Sequence, residues 1–179
     1  MHYTFLLKNG LRVIFIPRKR SKICSINVHV DAGSICDEKS YPFGTSHFVE
    51  HMIFNGSKNY STREDLLGII LDKGGKRGAY TGYFEQQHFV TISKQYLEQA
   101  LNYLSQTLLY PCFTEEAFLK EKQVILAELA KNESSLERVF YTKEVNKTIF
   151  KSRALQNYPL GNKNSIENAT KVNFIYLVE

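Results

Sequence analysis

No stretch of this sequence approaches the roughly 20 consecutive apolar residues of a membrane-spanning helix. Met1 to Lys19 alternate apolar and polar side chains and lack the continuous apolar segment of a secretory leader, so they read as a hairpin. Cysteine is scarce. Cys24, Cys36 and Cys112 form an odd set without C-x-x-C spacing, which argues against a disulfide framework and against a thiolate-built zinc site. Reduced thiols and a cytoplasmic location are the expectation. The formal charge of +5 is dispersed, and its densest cluster, Arg18-Lys19-Arg20, follows an expected strand. Without a basic stripe interleaved with stacking aromatics, neither nucleic acid nor a membrane surface is an expected partner. Internal repeats and low-complexity tracts are also missing.

What is present is an ordinary globular composition, 43% hydrophobic and 23% charged. The 179 residues suffice for one domain with one buried core, and residues 1–179 are read as a single domain. Tyr3 to Leu7 and Leu11 to Ile16 are strand-like and flank Asn9-Gly10, whose residue types supply the positive φ angles of a tight hairpin. Cys24 to Val30 alternates as a half-buried strand, which makes His29 a strand residue.

Thr45 or Ser46 is expected to cap a helix reaching about Phe54 and ended by Gly56, and Ser61 to cap a second through a Ser61-x-x-Glu64 box. Leu66, Leu67, Ile70 and Leu71 form the apolar stripe of that second helix, and Gly74-Gly75 stops it. Ala79 to Thr81 and Phe89 to Ser93 read as paired strands. Gln95 to Leu109 reads as a helix with Leu97, Ala100, Leu101, Leu104 and Leu108 at helical spacing, ended by Pro111. Thr114 caps a longer helix reaching Lys131 or beyond, with Phe118, Val124, Ile125 and Leu129 apolar along it. Leu136 to Phe150 is read as helical, Tyr158 to Gly161 as a loop, and Thr170 as the cap of a last helix.

His47-Phe48-Val49-Glu50-His51 carries the chemistry. Two imidazoles four residues apart share one helix face, where both can reach one ion. Glu50, one residue from His51 and three from His47, places a carboxylate beside that ion, where a general base is needed. Two imidazoles and a carboxylate leave a fourth tetrahedral position open, which suits one catalytic Zn2+ per chain. Chance alone yields the H-x-x-E-H pattern in about one such chain per hundred, so the five residues by themselves permit an amphipathic helix with surface histidines.

The wider block from Gly44 to Ser57 resembles the inverted H-x-x-E-H zinc peptidases of the pitrilysin, insulysin and mitochondrial processing peptidase type. The resemblance extends through Leu7 to Val13, Ala32-Gly33-Ser34, Glu38, Gly74-Gly75, Ala79-Tyr80-Thr81, Pro111 with Phe113, Glu121 to Glu128, and Pro159-Leu160-Gly161 with Ile166. It implies Glu128, 77 positions after His51, as third metal ligand beside His47 and His51. It also implies Glu50 as general base and Glu121, seven positions before Glu128, as a further member of the catalytic set that orients a ligand or water. A solvent-exposed helix charge is the other reading of Glu121.

The fold implied is α+β: two layers, a mainly antiparallel sheet covered by helices on one face. The activity implied is zinc-dependent endopeptidase action on oligopeptides or unfolded segments. The resemblance further implies that the last strands and a second homologous half lie outside these residues, so a partner half or self-association is expected. Gly78 stands where the family usually has Asn, a side chain that helps line the cleft. His88 reads as a strand residue and not as a fourth ligand. Tyr80, Tyr83 and Phe84 fit either an extended peptide or a half-buried strand. Two rival functions share the fold: a non-catalytic assembly subunit, against which the intact motif argues, and a zinc-binding half-domain inactive alone.

Overall fold

The computed structural model describes residues 1–37 and 41–170. The expected helix after Thr170 and the resemblance at Glu38 lie outside them. The fold is α+β, with two antiparallel sheets and helices packed on one face of the larger. Strands β1 (Tyr3–Leu6) and β2 (Arg12–Phe15) form a two-stranded sheet in the register Tyr3↔Phe15 to Leu6↔Arg12. Its connection differs from the expected tight turn: Gly10, at φ 87°, is its one residue with positive φ, and Asn9 instead accepts a hydrogen bond from the Leu11 amide through its side chain.

Strands β3 (Ile23–Val30), β4 (Lys76–Thr81) and β5 (Gln86–Ser93) form the second sheet in the order β3-β5-β4. Both β4 and β5 begin earlier than their apolar patterns indicate, because Lys76 to Gly78 and Gln86 to His88 are paired in the ladder despite weak strand propensity. Alternation on β5 separates two faces. Gln86, His88, Val90 and Ile92 are buried toward the helices, while Phe89 is exposed on the other side.

Helices α1 (Thr45–Met52), α2 (Arg63–Leu71), α3 (Leu97–Leu109) and α4 (Glu115–Glu133) supply the second layer. Helix α2 starts one residue later than its sequence box suggests. Thr62 accepts from the Asp65 amide at 3.1 Å and donates to the Asp65 carboxylate at 2.7 Å, so a Thr-Asp pair replaces Ser61-Glu64. Gly74, at φ 67°, does stop it, with the Gly75 amide donating to the Ile70 carbonyl. Leu71, Leu97, Leu101 and Val124, expected on apolar stripes, are exposed. Helical spacing allows several stripes, and tertiary packing selects the ones through Leu66 and Ile70, Ala100, Tyr103 and Leu104, and Phe118, Ile125 and Leu129. The segment 136–150 is interrupted by a π-helical stretch, Tyr141–Asn146.

Helix α1 sits between two apolar clusters. Phe48 and Met52 pack with Phe118, Ile125, Leu129 and Ile166, while Ile53 and Phe54 just beyond its end pack with Leu66, Ile70, Val90 and Tyr103. Fully burying a side chain such as Phe48 stabilises by about 1.5–3 kcal/mol, and its ring stacks on Phe118 at 4.9 Å. The N-terminus of α1 is not capped by Thr45 or Ser46. Gly44 occupies the cap at φ 94°, and a Cβ there would strike the Leu160 carbonyl, which seats the Pro159-Leu160-Gly161 loop against the helix start. The orphan amides go to Asp37: its carboxylate accepts from Gly44 N at 2.9 Å, Ser46 N at 3.1 Å and Ser46 Oγ at 2.7 Å. The helix stops at Met52 rather than at Gly56, whose φ of 139° instead lets its backbone approach Ser61.

Asp37 is 1% exposed, and burial pushes its carboxyl from the ordinary 3.8 up to about 6 against those hydrogen bonds. A carboxyl raised in the folded state stabilises fully below its unfolded value, and that contribution is lost as pH rises through the folded one. Asp37→Ala should cost about 1–3 kcal/mol at neutral pH by orphaning the helix amides. Urea denaturation should show the gap between wild type and variant widening by up to about 3 kcal/mol as pH falls from above 6 toward 3.8. A gap that is constant or narrows toward acid would show that Asp37 is not held near the protonated form.

Candidate metal centre

Positions 47, 50 and 51 lie on the α1 surface that faces α4 and β4. Glu121 and Glu128, two helical turns apart on α4, occupy one side of that helix and face α1. The structure brings His47, His51 and Glu128 together, with one donor atom from each within 4.8 Å of the others. The Nε2 atoms of His47 and His51 stand 3.9 and 3.6 Å from Glu128 Oε2, and the rings meet edge-on at 4.7 Å. Ligands of one tetrahedral zinc, each about 2.0–2.1 Å from it, lie about 3.3 Å apart. The two imidazole–carboxylate separations exceed that by about 0.3 and 0.6 Å, the third pair lies within 4.8 Å, and the donor types match a catalytic zinc shell. Such a donor set can hold a divalent metal.

Glu121 is buried, which rules out the solvent-exposed alternative. Its Oε2 accepts from His51 Nδ1 at 3.0 Å, leaving His51 Nε2 toward Glu128. The Nδ1 of His47 is buried and finds no hydrogen-bond partner among the described residues. Glu50 stands apart from the three donors: its Oε2 accepts a short hydrogen bond from the Thr81 hydroxyl on β4. Burial raises the Glu50 carboxyl, while the Thr81 hydrogen bond and the charge of His51 pull the other way. A carboxyl moved upward toward neutrality, but not bound into an ion pair, is suited to exchanging protons.

The two imidazoles differ. Burial, reinforced by His51, holds His47 down at about 4, so it offers a neutral nitrogen. Burial also disfavours charge on His51, but hydrogen bonds to Glu121 and Glu128 outweigh it and push that imidazole up to about 9. Glu128 is lowered chiefly by its hydrogen bond to His51 and remains partly open to solvent, its side chain 39% exposed.

Sequence reasoning missed three residues here. Thr81 lay within a recognised segment without a role, Arg63 donates to Glu121 Oε1 at 3.2 Å, and Asn55 donates to the His51 carbonyl at 2.9 Å. Only Asn55, four residues past His51, carried a local signal. The other three histidines are elsewhere: His2 is exposed near the N-terminus, His29 pairs with Glu85 at 2.9 Å on the outer sheet face, and His88 is buried beneath Phe54. Tyr80 and Phe84 are exposed, while Tyr83 accepts a hydrogen bond from Asn146. A Cβ at Gly78 would strike the ring of Phe89, its partner on β5.

A family profile described as Insulinase (Peptidase family M16) matches residues 12–163. A zinc protease of Rickettsia felis, otherwise uncharacterized, is 30% identical over 173 residues, 97% of this chain and 41% of the relative. A protease from Helicobacter pylori of known structure superposes with a TM-score of 0.87 at 23% identity, over 99% of this chain and 42% of that one. An inactive domain of this peptidase class from Pseudomonas fluorescens superposes with a TM-score of 0.88 at 16% identity, over 99% of this chain and 43% of that one. This chain thus spans about two-fifths of the length of these relatives. It belongs to the insulinase family of peptidases.

Proposed function

We propose that this insulinase-family chain is the zinc-bearing part of an endopeptidase that cleaves oligopeptides or unfolded segments. The observation that supports it most is the convergence of His47, His51 and Glu128 with Glu50 alongside and not among them. The fold alone does not decide activity, since an inactive domain shares it; the complete residue set favours the active reading.

In this reading His47, His51 and Glu128 hold one Zn2+, and Glu50 is the general base. When bound, zinc would polarise the scissile carbonyl and lower the pKa of water toward neutrality. Thr81 aims Glu50, which takes a proton from the attacking water and delivers it to the leaving amine. Glu121 orients His51 so that Nε2 stays available. The substrate adds as an extended strand along β4, whose far edge is unpaired among the described residues and which carries Thr81 to Glu50. Three free thiols support a reducing, cytoplasmic setting.

The exposure of Glu128 leaves the site open on one side. Peptidases need a wall there to exclude water and steady the oxyanion, so a second homologous domain or a second copy is the proposed partner. The zinc-binding half-domain inactive alone is therefore a special case of the same reading.

Purified protein should carry about one zinc per chain with nitrogen and oxygen donors, read by metal analysis and X-ray absorption. His47→Ala combined with His51→Ala should abolish it; unchanged zinc in that variant, or a sulfur-rich shell, would sink the metal assignment. Glu50→Gln should keep the zinc and remove peptidase activity, whereas Glu128→Gln should lose zinc. Thr81→Val should lower turnover by about 10-fold or more with little effect on zinc content, as misaimed general bases commonly cost. Activity per molecule should rise with protein concentration or with an added homologous domain, tracked by light scattering. Full turnover by a strict monomer would remove the need for a partner.

A further inference from the structure

Helix α2 contributes to the metal centre although none of its residues reaches the three donor atoms. Its first residue, Arg63, points its guanidinium at Glu121 Oε1, 3.2 Å away. The opposite oxygen of the same carboxylate, Oε2, meets His51 Nδ1 at 3.0 Å. The side chain of Glu121 is 4% exposed and that of Arg63 34% exposed, so the contact runs from the protein surface inward to a buried acceptor. Three helices from separate parts of the chain, α2, α4 and α1, are thereby joined through one carboxylate.

We propose that Arg63 is a positioning residue for the metal centre: by holding one oxygen of Glu121 it aims the other at His51 Nδ1, which keeps His51 Nε2 directed at Glu128. The terminal torsion of a Glu side chain is broad, so a carboxylate gripped at one oxygen can swing. Grip at both oxygens removes that freedom. Arginine suits the task because it is always charged and donates only, which keeps Glu121 an acceptor toward both neighbours. A histidine nitrogen that donates to a fixed carboxylate has its tautomer and ring plane set, and metal sites lose affinity when that partner drifts. The contact is a single N–H to one oxygen and not a fork, so a lysine ammonium can replace it in part.

The inference rests on the metal reading, and zinc itself is the probe. Zinc affinity of the full chain is measured by competition with a chromophoric chelator for wild type, Arg63→Met, Arg63→Lys and His47→Ala. The His51 tautomer is read by long-range proton–nitrogen NMR in metal-free protein at about pH 10 or above, where the ring, raised to about 9, is neutral and one nitrogen alone carries the proton. Arg63→Met should weaken zinc about 10-fold and shift His51 away from the Nδ1–H form, while Arg63→Lys recovers most of both. A folded Arg63→Met protein with zinc affinity within about twofold of wild type and an unchanged tautomer would overturn the inference. If Arg63→Met does not fold, Arg63→Gln, which keeps a donor without charge, is judged against the same limits. Zinc lost in His47→Ala but kept in Arg63→Met overturns the role of Arg63 alone. Zinc kept in His47→Ala overturns the metal reading beneath it.

Discussion

Everything at this site depends on seating α1 against α4. An eight-residue helix is too short to be stable in water on its own, so its geometry is imposed by what it touches. On one side Phe48 stacks on Phe118, and Met52 joins the same cluster as Ile125 and Leu129. That apolar contact fixes the rotation and height of α1 relative to α4. Since Phe118, Glu121, Ile125 and Glu128 follow one another at helical spacing, the packing that buries Phe118 and Ile125 also delivers Glu121 to His51 and Glu128 to the pair of Nε2 atoms. The polar geometry is thus a consequence of an apolar one.

The second constraint is electrostatic. Burying a carboxylate is costly unless its oxygens are met, and each acidic group around α1 is met differently. Asp37 collects the helix amides, Glu121 is shared between Arg63 and His51, and Glu50 takes a single hydroxyl from Thr81. The three carboxyls therefore separate into two groups: Glu121 is lowered, while Asp37 and Glu50 are raised. Separation of that kind lets one site hold both a fixed charge, Glu121 on α4, and a proton-exchanging group, Glu50 on α1.

What could be read from sequence follows the range of the interactions. The His47, Glu50 and His51 arrangement is set by helical period alone, and the Gly74 stop by local backbone, so both were legible. Glu128 and Glu121 became legible through resemblance, because their distance from α1 in sequence leaves no local trace. Asp37, Thr81 and Arg63 act across 9, 31 and 58 residues, and nothing near them in the chain announces their partners. Cap choice failed at α1 because its amides turn to Asp37, outside the helix start, and at α2 because Ser61 and Thr62 offer alternative local boxes one residue apart, of which Thr62 with Asp65 forms. Stripe choice failed likewise at Leu97, Leu101 and Val124.

Gly78 shows how register governs the effect of a departure from the family pattern. Side chains on a strand alternate, so Arg77, Ala79 and Thr81 share the face of β4 that meets the helices, and Gly78 and Tyr80 share the other. Thr81 can reach Glu50 because of that parity. Gly78 stands on the opposite face from Thr81, and the ring of Phe89 fills the space where a Cβ would stand. A glycine covered by a cross-strand aromatic keeps the ladder intact, with Gly78 paired to Phe89 in register. The outer face there presents the exposed rings of Phe89 and Tyr80, while Thr81, three positions on from Gly78 and of opposite parity, meets Glu50 on the other face.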